Sequence, residues 1–99
     1  MNSQAAGMLG ILNRAKKVAF GPAIEGAMRK GHLLLLALDA SPRTQKELRA
    51  KATNANVPVD MTLTQAELGA PLGRDGLSAV LILDQKGAAS LLHKLQKGE

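Results

Sequence analysis

Residues 20–31 read FGPAIEGAMRKG. They bring the single aromatic of the chain, Phe20, together with three glycines, a proline and the basic pair Arg29 and Lys30. Just upstream stand Arg14, Lys16 and Lys17. A glycine turn into a helix leaves backbone amides free at the helix N-terminus, and those amides with nearby cations can receive a phosphate. The chemistry open to this segment is anion binding. The same residues also read as helix punctuation, with Gly21 turning the chain and Pro22 starting the helix. A second candidate is Met61, Thr62, Leu63, Thr64 and Gln65. There Met61 and Leu63 either pack under an extruded base or belong to the core.

Catalytic chemistry finds little support. The two histidines, His32 and His93, stand far apart in sequence and read as surface or boundary residues. The acids are scattered, and no His-x-x-x-His or Glu-x-x-His spacing occurs. Ser41 and Ser90 have no evident base, and Ser41 is better placed as a helix cap. Neither GxGxxG nor a Walker loop is present, and Gly7-x-x-Gly10 falls inside a helical pattern, where packing explains it. No enzyme activity, cofactor, metal or small-molecule substrate is expected.

Charge points the same way as the glycine turn. Thirteen Lys or Arg against eight Asp or Glu give a net charge of +5 on 99 residues. A small basic domain attracts polyanions, though simple solubility accounts for charge of this size as well. The absence of cysteine excludes a disulfide framework, a thiolate metal site and a cysteine nucleophile. No basic region followed by an apolar one marks a signal peptide, and the longest apolar run is too short to span a membrane. A cytoplasmic protein is expected, as one domain with one core, its first six residues loosely held.

The elements that must position these residues follow from periodicity and punctuation. Ser3 is placed to cap a first helix reaching about Lys16, with Met8, Ile11, Leu12 and Ala15 as its apolar face. Gly7 and Gly10 in that helix suggest close packing against a neighbour. Val18, Ala19 and Phe20 make a short strand. The second helix follows Gly21, presents Ile24, Ala27 and Met28, and ends at Gly31. Residues 33–38 (LLLLAL) read as a strand covered on both faces. Ser41 and Pro42 open a third helix with a thin stripe of Leu48, Ala52 and Ala55, ended by Asn56. Residues 57–63 read as a third central strand. Thr64 and Glu67 form a capping box for a short helix ending near Pro71 or Gly73. The turn RDG, residues 74–76, leads into the buried strand LSAVLIL. Asp84 caps a last helix faced by Ala88, Leu91, Leu92 and Leu95. Helices alternating with doubly buried strands predict an α/β fold of three layers, α/β/α, with a mostly parallel sheet and any antiparallel pair at an edge.

Taken together, LGILNRAKKVAFG, MRKGHLLLLALDAS, NVPVDMTLTQAELGAPLG and AVLILDQKGAASLL resemble the kink-turn RNA-binding ribosomal-protein superfamily, which includes the L-seven-Ae and L-thirty-e proteins. The resemblance is greatest to its small bacterial members of the YlxQ type and runs from about Gly7 to Leu95. Its most specific pieces are Leu9-Gly10 with Arg14 and Lys17, Leu38-Asp39-Ala40-Ser41, Val57-Pro58-Val59, and Leu68-Gly69 with Gly73.

The resemblance implies a four-stranded mixed sheet between helices, of the L-thirty-e kind, and an RNA-binding surface. In that family the loop entering the second helix grips kinked RNA and the loop before the fourth helix closes over it. The matching positions here are Gly21, Pro22, Ala23 and Glu25, and residues 61–65. Strong kink-turn binders carry Gly-x-Asn-Glu with a lysine further along the helix; of that pattern only Gly21 matches. Asn and Glu side chains read the exposed edges of guanines in sheared G·A pairs, and Pro22 and Ala23 cannot. The expected partner is structured RNA, ribosomal or kink-turn-like, bound by a monomer. Phosphate contacts are expected from Arg14, Lys16, Lys17 and Arg29 around the helix N-terminus. The competing reading is a protein-interaction module that kept the fold, with Pro22, Ala23 and Gly26 as a smooth patch.

Overall fold

The computed structural model describes residues 3–97, with side-chain surroundings for residues 4–96. The elements run α1 (Ser3–Arg14), β1 (Val18–Phe20), α2 (Ala23–Ala27) continued by a 3-10 turn (Met28–Lys30), and β2 (Leu33–Leu36). They continue with α3 (Pro42–Asn54), β3 (Val59–Asp60), α4 (Gln65–Gly69) with a 3-10 turn (Ala70–Leu72), β4 (Ala79–Ile82) and α5 (Gln85–Lys97). This is the alternation the periodicity predicts. The helix begins at Ser3, whose side chain lies outside the described residues, and Ala5 is already fully buried.

The sheet order is β1-β4-β2-β3. β4 pairs antiparallel with β1 and β2, while β2 pairs parallel with β3. The sheet is therefore mixed, and the expectation of a mostly parallel sheet fails: the parallel pair is the one at the edge. Strands buried on both faces look alike in either orientation, because the apolar run reports coverage and not direction. Residues 57–63 also yield only two strand residues, and these form an edge strand and not a central one.

Two apolar layers flank the sheet. Leu33, Leu35, Val80 and Ile82 point to α1, α4 and α5, where Leu9, Leu68 and Leu91 meet them. Leu34, Leu36, Ala79 and Leu81 point the other way, to α2 and α3, against Ile24, Met28 and Ala52. Successive residues of a strand face opposite sides, so one continuous run of leucines serves both layers. The core face of α1 is Ala5, Leu9 and Leu12; Ile11 is 55% exposed and Ala15 also faces solvent. Gly10 does pack closely, 3.7 Å from the Pro71 carbonyl for an added Cβ, whereas Gly7 borders open space.

Local punctuation is as expected in most places. The Ser41 hydroxyl accepts the Thr44 N–H at 3.2 Å, with Pro42 in the first turn. Thr64 and Glu67 close both bonds of the capping box. The Asp84 carboxylate accepts the Gly87 N–H at 2.7 Å. Gly31 caps the turn that ends α2, as expected, and its N–H donates to the Met28 carbonyl. Its φ is −78°, and its small size is needed because a Cβ there would lie 2.9 Å from Cγ of the buried Leu81.

Candidate nucleic-acid interface

Strand directions decide which loops meet. β1, β2 and β3 all point one way and β4 runs back. The loop after β1 (Gly21, Pro22), the loop after β2 (residues 37–41), the loop after β3 (residues 61–64) and the loop entering β4 (residues 73–78) consequently gather at one end of the sheet. Phe20, Val80, Leu35 and Asp60 mark the same level across the four strands. β1 and β3 are the two edges, three strand spacings or about 14 Å apart. Gly21 and Met61 thus stand at opposite corners of this end.

Gly21 adopts φ 63°, the left-handed conformation its position as a turn requires. Pro22 follows with helical dihedrals, just ahead of α2. The α2 helix has only five residues, and the Ile24 N–H is already spent on the Gly21 carbonyl at 3.2 Å. So short a helix aligns few peptide dipoles. Glu25 reaches across to α3, where its carboxylate accepts a hydrogen bond from the Lys51 ammonium. That bond and the attraction between the charges hold the Glu25 carboxyl below its ordinary value.

A cleft of about 530 Å³ opens at this corner. One wall is Gly21, Pro22 and Glu25; the other is Thr44, Glu47 and Lys51 of α3; residues 76–79 form the floor. The loop feeding that floor carries Arg74, whose guanidinium lies over the Phe20 ring. The loop is held against α4 by absence of bulk. An added Cβ at Gly69 would come within 2.8 Å of the Arg74 carbonyl and 2.9 Å of the Gly76 backbone.

The segment at the other corner is stitched into the fold. The Thr62 N–H and hydroxyl both donate to the Asp60 carboxylate, at 3.1 and 2.9 Å. Leu63 is buried and belongs to the core, and its carbonyl accepts the Leu38 N–H at 2.9 Å. The Thr64 hydroxyl serves the capping box, and the Thr64 N–H bond to Glu67 lowers the pKa of that carboxyl. The Gln65 N–H and side-chain amide donate to Asp39, at 2.8 and 3.0 Å. Met61 is partly exposed, its sulfur 3.1 Å from an Arg49 guanidinium nitrogen.

The basic residues expected around Gly21 lie elsewhere. Lys16 and Lys17 precede β1, and the Lys17 carbonyl accepts the Leu83 N–H at 2.7 Å, so both sit at the opposite end of the sheet. The Arg14 guanidinium lies back along α1 over Gly10. Arg29 borders a groove with Asn54 and Ala55, down the α2–α3 face from Gly21. The structure therefore brings Gly21, Pro22, Ala23 and Glu25 together with the 73–78 loop, not with the lysines. Sequence reading took RDG as a turn and missed Arg74. Only the strand order, which puts β4 beside β1, reveals that this loop borders Phe20.

No family model matches the chain. It is 33% identical over 91 residues to the RNA-binding protein YlxQ of Bacillus subtilis (strain 168), an alignment that takes in 89% of this chain and 91% of that protein. The fold is that of a solved protein of unknown function from Bacillus halodurans C, with a TM-score of 0.85 and 22% identity, covering 93% of this chain and 96% of that one.

Proposed function

The chain belongs to the family of the RNA-binding protein YlxQ, and on that premise we propose that it binds structured RNA, ribosomal or kink-turn-like. The relationship to YlxQ is the observation that carries this reading. The cleft end of the sheet supplies fitting chemistry. Gly21 and Pro22 present backbone to the cleft without bulky side chains, and at the same end of the sheet, on the face toward α1, α4 and α5, Phe20 with Arg74 adds a π system and a cation. Unpaired bases stack on such groups, and RNA is recognised largely by shape and splayed bases. Without Asn and Glu after Gly21, guanine edges are not read as in strong kink-turn binders, so selectivity falls to backbone shape and the 73–78 loop.

We read the protein as a binder and not an enzyme. The Ser41 hydroxyl caps α3 and donates to Thr44 at 2.9 Å, and the Ser90 hydroxyl accepts from Lys94 at 3.0 Å. His32 is exposed in the loop before β2, and His93 is exposed on α5.

In-cell crosslinking followed by sequencing of attached RNA tests the proposal. Enrichment of structured ribosomal or kink-turn-containing RNA is expected, with loss of crosslinks in Arg74→Ala. A protein partner recovered without RNA and unaffected by nuclease would instead support an interaction module.

A further inference from the structure

The end of the sheet opposite the cleft gathers lysines that the site above does not use. Lys17 lies against Leu83 on one side of β4, and on the other side the His32 N–H donates to the Ile82 carbonyl at 2.8 Å. Lys17 and His32 flank one strand and so stand about 10 Å apart. Lys16 adjoins Lys17, held with φ 59°. Lys30 ends the 3-10 turn two residues before His32, and Lys86 lies in the first turn of α5, which leaves from this same end. Lys16, Lys17, Lys30, His32 and Lys86 are all exposed. Among the described residues none of these four lysines has an ion-pair partner. The carboxylate at this end, Asp84, is engaged with the Gly87 N–H.

The cleft end mixes both signs, with Arg74 as its cation beside Phe20. Glu25, Asp39, Glu47, Asp60 and Asp75 stand in or beside its loops, and Lys51 and Arg43 there are paired with Glu25 and Glu47. Four of the thirteen basic side chains thus stand at the far end of a body 24–29 Å across, away from Arg74 beside Phe20. Four unpaired cations at one end of the sheet favour a polyanion, since each phosphate they neutralise releases a counterion. Phe20, the one Phe of a chain without Tyr or Trp, lies at the other end of the sheet, so the lysine end offers mainly charge, which suits the backbone.

We propose that the lysine end is a second RNA-contacting surface, which takes the phosphodiester backbone of a segment other than the one at the cleft. It rests on the RNA binding proposed above. Two surfaces on opposite ends make the protein a bridge between RNA segments: shape and bases are read at the cleft, phosphates at the lysines.

The test is a salt titration with the full chain and fragmented ribosomal RNA as probe, comparing the native chain with the fourfold variant Lys16→Gln, Lys17→Gln, Lys30→Gln, Lys86→Gln. All four positions are exposed and glutamine keeps the stem, so circular dichroism should show an unchanged fold. The plot of log affinity against log salt should flatten by about 3 units, at roughly 0.7–0.9 per lost phosphate contact. The ranking of RNA fragments should persist, because phosphates carry no sequence information. An unchanged slope in a variant whose native form binds overturns the second surface alone. Failure of the native chain to bind at low salt overturns RNA binding itself. Loss of a nuclease-resistant protein partner on the fourfold change would assign the lysine end to protein, and also overturns the proposal.

Discussion

The Arg74 guanidinium carbon lies 4.9 Å from the centre of the Phe20 ring. This contact ties the loop before β4 to the end of β1, at the cleft end of the sheet but on the face toward α1, α4 and α5. It also places the single aromatic of the chain beside a cation. Truncating Arg74→Ala removes a cation–π contact of about 0.5–1 kcal/mol at an exposed site. Urea denaturation should show that loss. RNA affinity should fall as well, and Phe20→Leu should lower affinity in the same direction by removing the stacking face. RNA affinity unchanged in both variants would remove this corner from the interface.

Two glycine substitutions should have opposite signs. Gly69→Ala pushes a methyl into the backbone of Arg74 and Gly76, where no flexible side chain can yield. The expected cost is about 1–3 kcal/mol, as for other overpacked sites. Because the displaced loop carries Arg74, RNA affinity should drop in the folded fraction too. Gly7→Ala adds a methyl to an exposed position inside α1 with open space around it. Melting curves should show a gain of about 0.5–1 kcal/mol, the usual advantage of alanine in a helix interior.

The pairing of Glu25 with Lys51 has a defined pH signature. The Lys51 hydrogen bond holds the folded carboxyl below the ordinary value of 4.5. A depressed carboxyl stabilises the fold fully above the unfolded value. That contribution is lost as pH falls below 4.5 and through the lower folded pKa. Both groups are solvent-exposed, so the effect on stability is small and screened by salt. NMR titration is the direct readout: in Lys51→Met the Glu25 carboxyl should titrate closer to 4.5 than in the native chain. Identical titration curves would show that the pair does not persist in solution.

The capping box at α4 should be measurable on its own. Thr64→Ala leaves the Glu67 N–H without its acceptor and should cost about 1 kcal/mol in chemical denaturation. Ser41→Ala at α3 should cost a similar amount. Hydrogen exchange should rise at Glu67 in the first variant and at Thr44 in the second. A Thr64→Ala protein with native exchange at Glu67 would mean that another acceptor serves that N–H.

The sequence by itself determined the elements of this protein. Ser41, Thr64 and Asp84 announce their helices because a cap acts within three residues. The leucines of β2 announce a strand between two layers because alternation makes both faces apolar. Resemblance to an RNA-binding family was likewise legible in short local runs, and so was the loss of Asn and Glu after Gly21. Tertiary structure decided the neighbours. Pairing is long-range, and nothing local in residues 79–82 says that β4 inserts between β1 and β2 with reversed direction. That insertion sets the RDG loop beside Phe20 and leaves residues 61–65 at the far corner. It also explains why Lys16 and Lys17, only four or five residues before Gly21 in the chain, are remote from it in space. A strand carries the chain from one end of the sheet to the other, and β1 stands between the lysines and the glycine turn.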